Sequence, residues 1–199
     1  MNNRQIVFTI SLLLFVVAGC SAGSPDDQTP GFDAVGEALS KKCPPAVDAS
    51  IAVPSGNKLA LTLDAVGLQI YVCQATDTGH AWALRAPDAA LYDARGKEVG
   101  SHYAGPTWEY KDGSRVVASK RAEYSPDATS IPWLLLEATS HTGKGKLAKV
   151  SYIQRLNTEA GLAPAPAACN AENVGELASV DYVATYYFFV PGKADCDCK

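Results

Sequence analysis

The chain has 199 residues, with 17 basic and 21 acidic side chains, a formal charge of −4, six cysteines, three histidines and one methionine. A mildly acidic chain with dispersed basic residues argues against a nucleic-acid partner, because phosphate binding calls for clustered Lys and Arg. The length favours one domain with room for a small second element, and the lone initiator methionine rules out a methionine-rich copper site.

Residues 1–5 carry Arg4 and the α-amino group, and residues 6–17 form an apolar run broken by Thr9 and Ser11. Ala18 and Gly19 then lead into Cys20. A basic start, an apolar stretch and a small-residue exit describe a secretory signal peptide over residues 1–19. The run falls short of the roughly 20 apolar residues of a membrane span. Val17-Ala18-Gly19-Cys20 also resembles a bacterial lipobox. That resemblance implies cleavage before Cys20, diacylglycerol on its sulfur and a further acyl chain (palmitate) on the new amino group. Two or more chains suffice for stable anchoring where one holds only marginally. Ser21 after the cysteine resembles the outer-membrane default of Gram-negative lipoproteins. The alternative, an ordinary signal peptide with an incidental Cys20, leaves the chain exported but unanchored. The 180 residues after position 19 have 16 basic and 21 acidic side chains, a charge of −5.

Residues 20–42 read as lipid anchor, tether and short helix. Residues 21–31 have a flexible-linker composition. Residues 32–42 place Asp33 to cap a helix with Val35 and Leu39 on one face, ended by Pro44 and Pro45. Strands and turns follow over residues 43–192. Residues 58–64 alternate through Leu59, Leu61 and Leu63. Residues 67–74 put Leu68, Ile70 and Val72 opposite Gln69, Tyr71 and Cys73. Shorter strands are predicted at 80–85, 89–92 and 115–118, with turns at 93–97 and 111–114. The continuous apolar run 131–139 is expected of a strand buried on both faces. Lys144 and Lys146 read as a hairpin tip, 149–157 alternates, 162–168 is a connection, and 180–190 is the longest strand. This pattern predicts an all-β domain, a single antiparallel β-sandwich or barrel, followed by a tail at 193–199.

Once Cys20 is lipidated, Cys43, Cys73, Cys169, Cys196 and Cys198 remain, and an exported chain of this kind carries disulfides. The sequence leaves the connectivity open. The pairing expected here is Cys73 with Cys169, and an odd count leaves at least one thiol free or engaged between molecules.

The densest candidate site is residues 100–114, where His102, Tyr103, Trp108, Glu109 and Asp112 crowd a segment bounded by glycines. Loops on a β scaffold commonly carry function. The structural alternative makes Gly105-Pro106 a turn, Trp108 a core residue and Asp112-Gly113 a hairpin tip. An exposed Trp108 beside Tyr110 would suit sugar stacking. Arg155, inside an apolar strand, must reach solvent or pair with an acid, with Glu137, Glu109 or Asp112 as candidates. Gln69 and Gln154 are expected to satisfy buried backbone groups. The scattered histidines (80, 102 and 141) give no metal-ligand spacing. No nucleophile motif and no phosphate-cradling glycine loop is present, so neither metal nor cofactor is expected.

A family resemblance rests on these blocks. Gly67-Leu68-Gln69-Ile70-Tyr71-Val72-Cys73 is followed by Ala86-Pro87-Asp88-Ala89, Gly100-x-His102-Tyr103-x-Gly105-Pro106-Thr107-Trp108-Glu109 and Asp112-Gly113-Ser114. Then come Ile131-Pro132-Trp133-Leu134-Leu135-Leu136, Tyr152-Ile153-Gln154-Arg155-Leu156-Asn157-Thr158, Ala163-Pro164 with Cys169, and Tyr182-x-Ala184-x-Tyr186. Together they resemble domain-of-unknown-function family 3455, a group of secreted or lipid-anchored proteins. The resemblance implies export and a compact β domain, and no activity. Glu159-Ala160-Gly161 departs from the paired glycines the family tends to show there.

The function expected is a non-enzymatic, lipid-anchored envelope domain, outer-membrane in a Gram-negative cell, that binds a small molecule, glycan or envelope partner. Its candidate residues are Gln69, His102, Tyr103, Trp108, Glu109, Asp112 and Arg155. One rival is an envelope hydrolase using His102 with Glu109 or Asp112 as acid and base. A second is a structural or assembly lipoprotein with no ligand site.

Overall fold

The computed structural model describes residues 43–193. The leader, Cys20, the tether, the helix expected at 32–42 and the two tail cysteines lie outside the described residues. Eight antiparallel strands run in chain order and close into one barrel: β1 (Asn57–Thr76), β2 (Gly79–Tyr92), β3 (Glu98–Tyr103), β4 (Thr107–Tyr110), β5 (Arg115–Tyr124), β6 (Trp133–Thr142), β7 (Tyr152–Ala160) and β8 (Leu177–Pro191). Pairing of β1 with β8 from Asn57↔Pro191 to Val72↔Leu177 completes the closure. A closed barrel leaves no sheet edge unpaired. Of the two arrangements expected, the chain forms the barrel.

Strand alternation sends every second side chain inward. Leu63, Leu91, Trp108, Val116, Leu136, Ile153, Tyr186 and Phe188 fill the interior. Ala65, Ala89, Ala118 and Ala184 lie among them, small residues that let aromatics from opposite walls fit an eight-stranded cross-section. On β1 the inward face is Gln69, Tyr71 and Cys73, all buried. The aliphatic face of Leu68, Ile70 and Val72 is only half-buried.

The strands expected at 58–64 and 67–74 are one 20-residue strand, and those at 80–85 and 89–92 are one 14-residue strand. The apolar run on β6 is buried on both faces at Leu135 and Leu136. Leu136 faces the barrel interior, while Leu135 packs outside with Leu156 under Ile51, Val47 and Val53 of the segment before β1. That segment holds a single 3-10 turn, Ala49–Ile51, capped by Asp48. It explains why an outer face of the barrel is apolar.

Cys73 is bonded to Cys169, as expected, with 5.3 Å between the Cα atoms. The bridge pins the 161–176 connection to β1, where Cys73 also exchanges backbone hydrogen bonds with Gly175 and Glu176. Cys43 is disulfide-bonded as well.

Candidate functional site

The strands differ greatly in length, and that difference makes the site. β3 and β4 span six and four residues against 20 and 14 for β1 and β2. Pairing of β2 with β3 stops at Ala89↔His102, so Leu84–Pro87 continues beyond the low wall with only β1 beside it. Pro87, which has no N–H to give, stands in this stretch without a β3 partner. The β3–β4 turn at Gly105-Pro106 closes the low wall.

A pocket of about 350 Å³ opens here, lined by side chains from all eight strands: Gln69, Leu84, Arg85, Ala86, Pro87, His102, Trp108, Lys120, Leu134, Leu136, Arg155 and Tyr186, with Gly105 and Pro106 from the turn. Two bulges shape its rim. Ile70 pairs with Ala86 and Tyr71 with Leu84, so Arg85 is the extra residue of β2. Lys120 precedes a second extra residue, Arg121 of β5. Bulges re-aim side chains, and they concentrate beside functional sites.

At the wall, His102 lies flat on Trp108 with ring centroids 4.2 Å apart and 13° between planes, and Tyr186 meets both rings edge-on. His102 Nδ1 is 2.9 Å from the Thr107 carbonyl oxygen. A carbonyl only accepts, so Nδ1 carries the proton and Nε2 is left as an acceptor. Burial, with a smaller contribution from the Arg155 charge, holds the imidazole neutral with its pKa lowered to about 3. It is not a proton carrier near neutral pH.

Arg155 is 8% exposed. Its Nε and Nη2 both donate to the Pro132 carbonyl oxygen, at 3.2 and 2.8 Å. No carboxylate among the described residues pairs with it: Glu109 is taken by Arg115 and Glu137 by Arg121. The ion pair expected for Arg155 is therefore absent, and a backbone carbonyl takes its place. Two of its five N–H groups are used there, leaving three. Burial raises the pKa of Tyr71, Tyr182 and Tyr186 and outweighs the opposing field of Arg155, so their hydroxyls stay protonated, while at His102 burial and that field both act downward.

Four buried polar atoms around this cation have no hydrogen-bond partner: Gln69 Nε2, Trp108 Nε1 and the Tyr182 and Tyr186 hydroxyls. Tyr182 approaches Tyr186 and Gln69, and Tyr186 approaches Arg155, closely enough for each contact to shift the hydroxyls' titration, but none of them has full hydrogen-bond geometry. An unmade buried hydrogen bond costs roughly 1–3 kcal/mol. Gln69 thus does not do the backbone bonding expected of it. Gln154 does, donating to the Ile51 carbonyl oxygen outside the barrel.

Of the sequence candidates, Gln69, His102, Trp108 and Arg155 meet in this pocket, and Tyr103, Glu109 and Asp112 do not. In the β3–β4 ladder His102 is opposite Trp108, and Ser101 is opposite Glu109. The period of two therefore puts Glu109 on the outer face, where it accepts from Tyr103 and pairs with Arg115. Asp112 sits at the other end of the barrel. It accepts from the Ser114 hydroxyl and backbone N–H and from the Lys146 backbone N–H, which ties two loops together. The acid–base pairing of His102 with either carboxylate is not formed. Trp108 is 1% exposed, which removes the exposed Trp108–Tyr110 stacking surface. Tyr186, Leu134, Leu136, Arg85 and Lys120 were not read as site residues. The inward alternation Tyr182-x-Ala184-x-Tyr186 was the available signal for the first of them. Among the described residues, no group of three or more His, Cys, Asp or Glu side chains is placed to hold a metal ion.

Fold and site together define a closed, up-and-down eight-stranded barrel with a donor-rich pocket at one end. The family profile described as "Protein of unknown function (DUF3455)" matches residues 54–190, which take in all of the barrel but the last residue of β8 and every pocket residue. The chain belongs to that family. No curated protein matches it.

Proposed function

We propose that this protein is a lipid-anchored envelope protein, non-enzymatic, whose barrel binds a small molecule in the Gln69–His102–Trp108–Arg155–Tyr186 pocket. The observation carrying this reading is that all eight strands direct a side chain into one concave space containing orphaned polar atoms. Eight strands enclose about enough room for one small ligand. Pockets that take ligands are mostly apolar with a few convergent polar groups, and this lining has that character. A purely structural lipoprotein has no need of such a space. A hydrolase needs an acid and a base within reach of each other, and His102 lacks a carboxylate neighbour. Anchoring follows from Cys20 and the leader before it, and gives the outer membrane in a Gram-negative cell.

The test is a fragment screen by NMR on the full-length protein, using small neutral, cationic and anionic aromatic compounds. Binding in the pocket moves the Trp108 indole N–H and Gln69 side-chain amide resonances together. If no compound of any charge moves them, or shifts cluster on another face, the pocket is not a binding site.

A further inference from the structure

The pocket's charge specifies its ligand further, on the reading that the pocket binds at all. The chain as a whole is acidic, at −4, yet no Asp or Glu lines this space and three cations do. They are not equivalent. Lys120 is held by Glu123 at 2.6 Å, both half-exposed. Arg85 stands exposed on its bulge with no carboxylate partner among the described residues. Arg155 is buried, and the cost of burying an unpaired charge is recovered only by a counter-charge or a dense set of acceptors. Its one protein acceptor is the Pro132 carbonyl.

Every orphaned atom beside it can donate: an amide N–H, an indole N–H and two phenolic O–H groups, the last two also able to accept. The site is therefore richer in donors than in acceptors, which are the His102 Nε2 and the phenolic oxygens, and it holds no carboxylate to balance a cation or an amine. One buried guanidinium matches one negative charge, and its planar fork matches two oxygens side by side. Apart from the neutral His102 ring, the remaining lining is aliphatic, glycine or proline, including Leu84, which is 54% exposed at the rim and would be covered by an apolar body. A phosphate dianion would bring twice the charge into a space with a single buried cation and an apolar wall. The volume is that of about a dozen water molecules, which limits the ligand to a compact one.

We propose that the barrel pocket is a receptor for a small organic monocarboxylate, its carboxylate held by Arg155 with the Gln69 amide and Tyr186 hydroxyl, and its apolar body against Leu84, Leu134 and Leu136. Arg85 at the rim draws the anion in from solvent.

Benzoate, benzamide and benzylamine have nearly one shape and three charge states, and each is titrated into the full-length protein by NMR. Benzoate is expected to shift the Trp108 and Gln69 side-chain resonances with an affinity at least tenfold above benzamide, with benzylamine not binding. In Arg155→Met the tenfold preference of benzoate over benzamide falls to about one. Equal or tighter binding of benzamide or benzylamine at those resonances overturns the carboxylate assignment and leaves the pocket standing. Silence from all three overturns both readings. A folded Arg155→Met protein that still prefers benzoate overturns Arg155 as the anchor. The comparison of the three compounds in the unsubstituted protein decides the charge question whether or not the variant folds.

Discussion

The His102 imidazole lies on the indole of its cross-strand partner Trp108 at 4.2 Å, and its Nδ1 proton is held by the carbonyl of Thr107, the adjacent position on β4. This pair fixes the back wall of the pocket. Stacking locks the imidazole plane, and the hydrogen bond locks its tautomer. The result is a neutral ring whose Nε2 is its one open polar atom.

That neutrality makes stability depend on pH in a defined direction. His102 has a folded pKa of about 3 against about 6.5 when unfolded, so the unfolded chain binds the extra proton between those values. Its stabilising contribution is complete above pH 6.5 and is lost as pH falls toward 3, by at most about 4–5 kcal/mol. Urea midpoints from pH 7 to 4.5 should fall steadily in the natural protein. They should fall distinctly less in His102→Phe. Parallel slopes would show that the imidazole is not buried neutral.

Arg155 lacks a carboxylate partner, so removing its charge leaves no orphaned acid behind. Arg155→Met should change stability by no more than about 1–2 kcal/mol, the loss of the Pro132 hydrogen bond being offset by relief of a buried charge. Breaking a true buried ion pair costs about 3–5 kcal/mol. Thermal denaturation of the two proteins side by side checks this, and a drop of the larger size would reveal a counter-ion.

The Cys73–Cys169 bridge spans 96 residues of sequence. In the chain-entropy account a loop of that length corresponds to about 4–5 kcal/mol. The double variant Cys73→Ala/Cys169→Ala should therefore be destabilised by roughly 3–5 kcal/mol. Proteolysis should begin in the 161–176 connection, which the bridge pins down.

Ala160 has φ of +56° and Gly161 of +80°, where an alanine costs about 1–2 kcal/mol. Ala160→Gly should raise stability by about 1 kcal/mol. Gly161→Ala should lower it by more, because a Cβ there would also press on the Cβ of Tyr182 and on Ile131. Denaturant midpoints of the two variants should move in opposite directions.

Anchoring through Cys20 is read from intact mass and detergent partitioning of the natively expressed protein. The expected chain begins at an acylated Cys20 and enters the detergent phase. Cys20→Ser should abolish both properties. An unlipidated mass for the natural protein would make Cys20 an ordinary thiol.

The Cys73–Cys169 pairing, one of several connectivities the sequence left open, was decided by the tertiary structure, whereas the sequence determined the class of fold and the inward faces of most strands. These rest on local alternation and turn chemistry, such as Asp93-Ala94-Arg95-Gly96, where the Asp93 carboxylate accepts from two backbone N–H groups. Sequence also marked Gln69, His102, Trp108 and Arg155 as unusual, since each is a polar or bulky group in a strand context. It could not separate them from Tyr103, Glu109 and Asp112. Neighbouring residues on a strand point to opposite faces, so His102 and Glu109 end up on opposite sides of the wall. Barrel closure alone decided that Gln69 of β1, Arg155 of β7 and Tyr186 of β8 share a space with His102 of β3. Arg155 has a carbonyl in place of an acid because strand alternation turns Glu109 and Glu137 to the outer face, where Arg115 and Arg121 pair with them.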